Sequence, residues 1–217
     1  MSHVTMIRHG QANSAARDEG SYDQLSPLGK QQAQWLGAHL DATGDRFARA
    51  YSGTLRRHRE TAQEMALGIE VVEDARLNEL EYFTMAQLMV DQHGLAMPNN
   101  REEFTLHLPR LMLLWQQDAL EGVPERFADF EARVRDVVQE LVAGEGRAVA
   151  VTSGGLIGMA MRCVMGLDLT ALAHACLAIE NSSIHRFQPL STGIALTLFN
   201  AVPHLDAPGR AQSRTHL

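Results

Sequence analysis

An apolar run from Val4 to Ile7 ends in Arg8, His9 and Gly10, within VTMIRHGQANS. A neutral imidazole can attack an electrophile while an adjacent guanidinium holds the negative charge. The same residues also suit a strand that merely surfaces into water, and this stretch alone leaves both readings open. Arg56, Arg57 and Arg59 crowd the start of a predicted helix in TLRRHRETA. Cations at a helix N-terminus are disfavoured by roughly 0.3–1 kcal/mol each. Either they fan into solvent, with Glu60 pairing Arg56, or one faces an anion that the helix end also holds. In VTSGGLIG, Gly154 and Gly155 join a strand to a helix. Glycines there let backbone N–H groups approach an oxyanion, or simply allow tight packing. Glu79, in RLNELEYF, is either an ordinary surface carboxylate or a proton donor in a cleft.

Other chemistries find little support. The sequence contains no GxxxxGK[ST], HExxH or CxxC pattern, and its ten histidines are scattered, so neither a nucleotide P-loop nor a metal site is expected. Cys163 and Cys176 sit in apolar sequence and read as buried thiols in a reducing compartment. A formal net charge of −7 argues against general nucleic-acid binding and against attraction to an anionic membrane. No basic region followed by an apolar stretch opens the chain, and no apolar run is long enough to span a bilayer. The cytoplasm is the expected location.

The elements that must position these residues alternate. Strands are predicted at 3–8, 46–52, 69–74 and 147–153, with a closing hairpin formed by SSIHRFQPL and GIALTLFN. Helices are predicted from Ser26 to Gly44, over TLRRHRETAQEMA, over about 126–143, and over GGLIGMAMRCVMGL. Residues 85–121 read as Met- and Leu-rich helix with breaks at Gly94, Pro98 and Pro109. This alternation predicts an α/β three-layer sandwich, a mainly parallel sheet flanked by helices on both faces. Ligands bind such sheets beyond the carboxyl ends of the strands. Arg8-His9-Gly10, Gly53 to Arg57 and Ser153-Gly154-Gly155 all fall at predicted strand ends. At 217 residues the chain fits one domain, with 206–217 expected to be a flexible tail.

The ordered set IRHGQ, TLRRHRETA, LNEL, VTSGGLI, ENSSI and FNAVPHL, with LSPLGKQQAQ as first helix, resembles the histidine phosphatase (phosphoglycerate mutase-like) superfamily over residues 3–205. The resemblance implies a helical insertion over the active site, matched by about 82–125, and no metal or other cofactor. It implies that His9 takes the phosphoryl group with Arg8 beside it. Thr61-Ala62 sets the register that makes Arg57, not Arg56, the second phosphate-binding arginine. Glu79 falls on the family acid, which would protonate the leaving oxygen and then activate water. Gln11, Asn13 and the Gly154 and Gly155 backbone are expected as further donors to a small phosphorylated substrate. One departure stands out: Ser153 occupies the place of the family's second histidine. His58, next to Arg57, is the candidate substitute.

A phosphatase acting through a phosphohistidine is the leading expectation. A mutase is disfavoured because Glu79 is followed by LEYF rather than by the arginine and Tyr-Gly that such mutases carry. A non-catalytic phospho-ligand-binding protein is the alternative that Ser153 supports. An exposed hairpin edge could pair in a homodimer.

Overall fold

The computed structural model describes residues 2–216. Its elements run, in chain order, β1 (His3–Arg8), α1 (Glu19–Tyr22), α2 (Pro27–Ala42), β2 (Arg49–Ser52), α3 (Arg56–Met65), β3 (Val71–Glu73), α4 (Tyr82–His93), α5 (Arg101–Gln116), α6 (Phe127–Ala143), β4 (Arg147–Thr152), α7 (Gly154–Met165), α8 (Leu169–Ala178), β5 (Ile184–Leu190) and β6 (Gly193–Ala201). One six-stranded sheet has the order β3-β2-β4-β1-β5-β6. β1, β2, β3 and β4 pair in parallel, and β5 and β6 form the antiparallel hairpin. β1 and β4 are central and almost wholly buried, which is why both read as continuous apolar runs.

Side-chain alternation along the strands divides the core in two. Val4, Met6, Ala148, Ala150 and Phe187 face a large cluster with α4 to α8. Ile7, Ala50, Val149, Val151 and Ile184 face a smaller cluster with α2 and α3. The result is the predicted three-layer α/β sandwich. Ser26 accepts from Gly29 N at 3.0 Å and Pro27 takes the first helical position, so α2 begins where its sequence said it would.

Three details differ from the sequence reading. Pro109 does not break the helix but lies inside α5, a helix that Asn100 caps through Glu103 N at 2.9 Å. Burial of Leu108, Leu111, Met112 and Trp115 on one side of α5 outweighs the lost backbone bond. The sequence reading passed over α8 altogether. It is short and apolar, and Asp168 caps it by accepting from Ala171 N at 2.8 Å. The segment expected to be a flexible tail is docked: Gln32 Nε2 donates to Ser213 O at 2.7 Å and Arg214 grips Glu180 with two hydrogen bonds of 2.7 and 2.9 Å. Arg210 also covers the Trp35 ring at 4.4 Å. No helix among the described residues is long and apolar enough to cross a membrane.

Candidate active site

The carboxyl ends of β1, β2 and β4 converge, and His9 is the first residue beyond β1. Its backbone is held on several sides: His9 N donates to Thr152 O at 2.9 Å, and His9 O accepts from Ser182 N at 3.2 Å and Asn181 Nδ2 at 3.3 Å. The ENSSI segment thus buttresses the histidine rather than meeting a ligand. The next loop lies directly on α2, where a Cβ on Gly29 would come within 2.1 Å of Gln11 O. Only glycine permits that approach. His9 Nδ1 lies 2.7 Å from the Gly10 carbonyl, which can only accept, so the proton sits on Nδ1 and Nε2 carries a lone pair. Burial, helped by Arg57, Arg8 and His58, holds the His9 pKa well below the ordinary histidine value. The ring is therefore neutral at pH 7.

Arg8 and Arg57 are both buried and both line the same cavity as His9. Arg8 Nη1 donates to Ile179 O, and Arg57 Nη1 pairs with Asp23 Oδ1 at 3.0 Å. Each guanidinium keeps a buried Nε–H with no partner in the protein. Asp23 also accepts from Arg56 N and Arg57 N at 2.9 and 3.1 Å, capping α3 from a distant loop. Tyr22 lies under Arg57, with the guanidinium carbon 5.1 Å from its ring centroid. Arg56 is 57% exposed and bonds Glu60 at 2.7 Å. The structure therefore places Arg57, and not Arg56, on the cavity.

Glu79 lines the cavity with its carboxylate fixed by two backbone donors, Gly155 N at 2.7 Å and its own Leu80 N at 3.1 Å. A Cβ on Gly155 would lie 2.4 Å from Glu79 Oε1. The Gly155 N–H, expected as an anion donor, is thus committed to the acid instead. Gly154 does line the cavity, against Arg8. A second carboxyl, Glu19, was not anticipated. It accepts from Phe83 N at 2.7 Å and lines the same cavity, and burial raises its pKa. Cys176 also reaches the cavity, and burial and Glu79 push its thiol pKa up strongly.

The other expected contacts are redistributed. Gln11 is not on the cavity; its side chain accepts from Ser26 Oγ at 2.7 Å because the α2 start presses against it. Asn13 lines the cavity, but its amide spends a donor on Ser21 O at 2.9 Å. Ser153 and His58 are both buried and neither lines the cavity. His58 Nε2 lies 2.6 Å from Ser153 Oγ, and the rings of His58 and His9 are 5.7 Å apart. The expected substitute thus lies beside the nucleophile candidate but behind it. Burial and Arg57 hold its pKa well below the ordinary value, so it supplies no positive charge. The docked tail meets this scaffold too: Thr215 O accepts from Asn181 N at 2.8 Å, and Gln32 ties Ser213 to Gln11 N.

The cavity, about 470 Å³, continues from the histidine end under α4, α5 and their linker. The insertion residues that line it include Tyr82, Phe83, Met97, Arg101, Phe104, Leu108 and Met112, whereas Met85, Met89 and Trp115 are core and Leu106 is exposed. Among the described residues, no group of three or more His, Cys, Asp or Glu could hold a metal ion.

Fold and site geometry together define an α/β protein with a histidine just beyond its first strand and two buried arginines on the same cavity. Residues 4–202 match the histidine phosphatase superfamily (branch 1), and the chain belongs to that family. It is 27% identical to a probable phosphoglycerate mutase, GpmB, of Serratia proteamaculans, over 96% of this chain and 97% of that one. The mycobacterial glucosyl-3-phosphoglycerate phosphatase complexed with VO3 superposes with a TM-score of 0.63 at 27% identity, covering 92% of this chain and 98% of that one. The H9A mutant of the Entamoeba histolytica phosphoserine phosphatase, in complex with phosphoserine, shares the fold at a TM-score of 0.72 and 22% identity, covering 94% of this chain and 100% of that one.

Proposed function

We propose that this protein is a phosphomonoesterase that works through a phosphohistidine on His9. The observation that carries this reading is a neutral, buried imidazole with Nε2 unprotonated, flanked in one cavity by two buried arginines that keep unpartnered Nε–H donors. Buried donors of this kind are normally satisfied, and a phosphoryl group would satisfy both. In the first step His9 Nε2 bonds to phosphorus while the ester oxygen leaves with a proton from Glu79. In the second step water, deprotonated by Glu79, attacks phosphorus and releases His9. Arg8 and Arg57 hold the nonbridging oxygens, where electrostatics and positioning supply most of the rate. The reaction needs no metal or cofactor, and it is the setting in which Asp23 and Tyr22 make sense, as groups that fix Arg57.

The GpmB relatives favour a second reading, in which the phosphoryl group returns to a substrate hydroxyl instead of passing to water. Turnover of an aryl phosphate with stoichiometric release of inorganic phosphate, and no interconversion of 3- and 2-phosphoglycerate, is the result expected here. Interconversion without phosphate release would replace hydrolase by mutase.

Within the site, Arg57→Ala should lower kcat by about 10²–10³, as for a lost oxyanion donor. Arg56→Ala should change it by less than about threefold, as for an exposed ion pair. Steady-state kinetics of the two variants provides the check, and equal losses would place the phosphate elsewhere.

A further inference from the structure

We propose that the cavity selects phosphomonoesters whose leaving group is a bulky apolar alcohol, aryl or aralkyl, over esters of polyols. The proposal rests on the phosphatase reading for the phosphate end of the cavity, and on separate residues for the rest. Beyond the arginines the wall is aromatic and continuous: ring centroids are 5.7 Å apart for Tyr22–Phe83, 5.5 Å for Tyr82–Phe83 and 5.2 Å for Tyr82–Phe104. Met97 and Met112 complete it with adaptable thioethers. The volume, about 470 Å³, lies within the range of pockets that enclose a drug-sized ligand, far more than a phosphoryl group occupies.

Several polar groups nearby are already engaged within the protein. Tyr82 Oη lies 3.1 Å from His107 Nδ1. Asn99 and Asn100 both hydrogen-bond Glu103 at the start of α5. Glu19 Oε1 accepts from the Phe83 backbone. Arg17 and Arg101 lie at the rim and are exposed to water. A polyol seated against the aromatic wall would give up hydration for few hydrogen bonds, which is costly. An apolar group gains a factor of about four for each methylene that leaves water. Opposite signs for the two ligand types make the preference large.

The test uses phosphonates, which bind without being hydrolysed, and the full chain. By calorimetry, 3-phenylpropylphosphonate should bind at least about thirtyfold more tightly than 2,3-dihydroxypropylphosphonate, with the more negative heat-capacity change of apolar burial. Equal affinities, or the reverse order, would overturn the proposal. Phe104→Asn, confirmed folded by circular dichroism, should narrow the affinity ratio at least about threefold by removing one ring of the wall; an unchanged ratio would equally overturn it. The two readings fail separately. If the affinity order holds but no phosphomonoester is turned over, the phosphatase reading falls and the apolar selectivity stands. If glycerol phosphate is hydrolysed and the phenylpropyl phosphonate binds no better, the selectivity falls and the phosphatase stands.

Discussion

His9→Ala should abolish turnover, by a factor on the order of 10⁴ or more, because the covalent bond the mechanism depends on can no longer form. The fold should survive. The groups that anchor residue 9 are its backbone N–H and carbonyl, held by Thr152, Ser182 and Asn181, and alanine keeps both. Rapid quench of the unmodified enzyme should trap a phosphoryl adduct on His9 that is labile in acid and stable in base; the alanine variant should trap none. The pH profile carries a second signature. Because the His9 pKa is lowered, the ring stays unprotonated as pH falls through the ordinary histidine range. After correction for the substrate's own ionisation, the acidic limb of kcat/KM should therefore lie well below pH 6.5, the ordinary histidine value. Substantial turnover by His9→Ala would sink the covalent mechanism.

Much of this site was legible because its signals are local. An apolar strand ending in Arg8-His9, and arginines forced onto a helix start, are conflicts between residue type and position that a sequence exposes. The alternation of strands and helices then predicted that these ends would meet. What stayed hidden is made by contacts between distant segments. Asp23 caps α3 and pairs with Arg57 across more than thirty positions, and nothing in YDQL announces it. Gly155 looked like an anion donor because its N–H opens a helix, but in the first turn of α7 that N–H meets the Glu79 carboxylate, brought there from a distant loop. The tail looked loose because its composition is Ala-, Pro- and Gly-rich, yet Arg214 and Thr215 find Glu180 and Asn181, whose own roles are set by the loop under His9.

The departure at Ser153 changes meaning once placed in space. An imidazole does stand beside His9, but it comes from α3 as His58 and bonds the serine hydroxyl instead of reaching the cavity. It is neutral, so in the proposed mechanism the positive charge around a phosphoryl group would come from Arg8 and Arg57. That arrangement leaves the leaving oxygen without a nearby cation from this side, which increases the demand on the carboxyl that donates its proton.

Glu79→Gln should therefore depend on the leaving group more than any other substitution in the cavity. A general acid contributes about 10²–10⁴-fold when the departing oxygen must be protonated, and little when it departs readily as an anion. On an alkyl phosphate the variant should lose that full range; on a nitrophenyl phosphate it should lose less than about tenfold in the first step. Gly155 N and Leu80 N donate to different carboxylate oxygens, so glutamine, with its one acceptor oxygen turned toward Gly155 N, keeps the shorter of the two bonds that fix residue 79 and gives up the longer one. Single-turnover kinetics isolates formation of the phosphoryl-enzyme from its hydrolysis, where Glu79 would act again as base. Glu19, the other carboxyl on the cavity, is the natural control, since burial raises its pKa. If Glu19→Gln shows the leaving-group dependence and Glu79→Gln does not, the proton comes from α1 and the assignment of Glu79 is wrong. If Glu79→Gln loses equally on both substrates, the carboxylate serves to position Gly155 and the start of α7 rather than to deliver a proton.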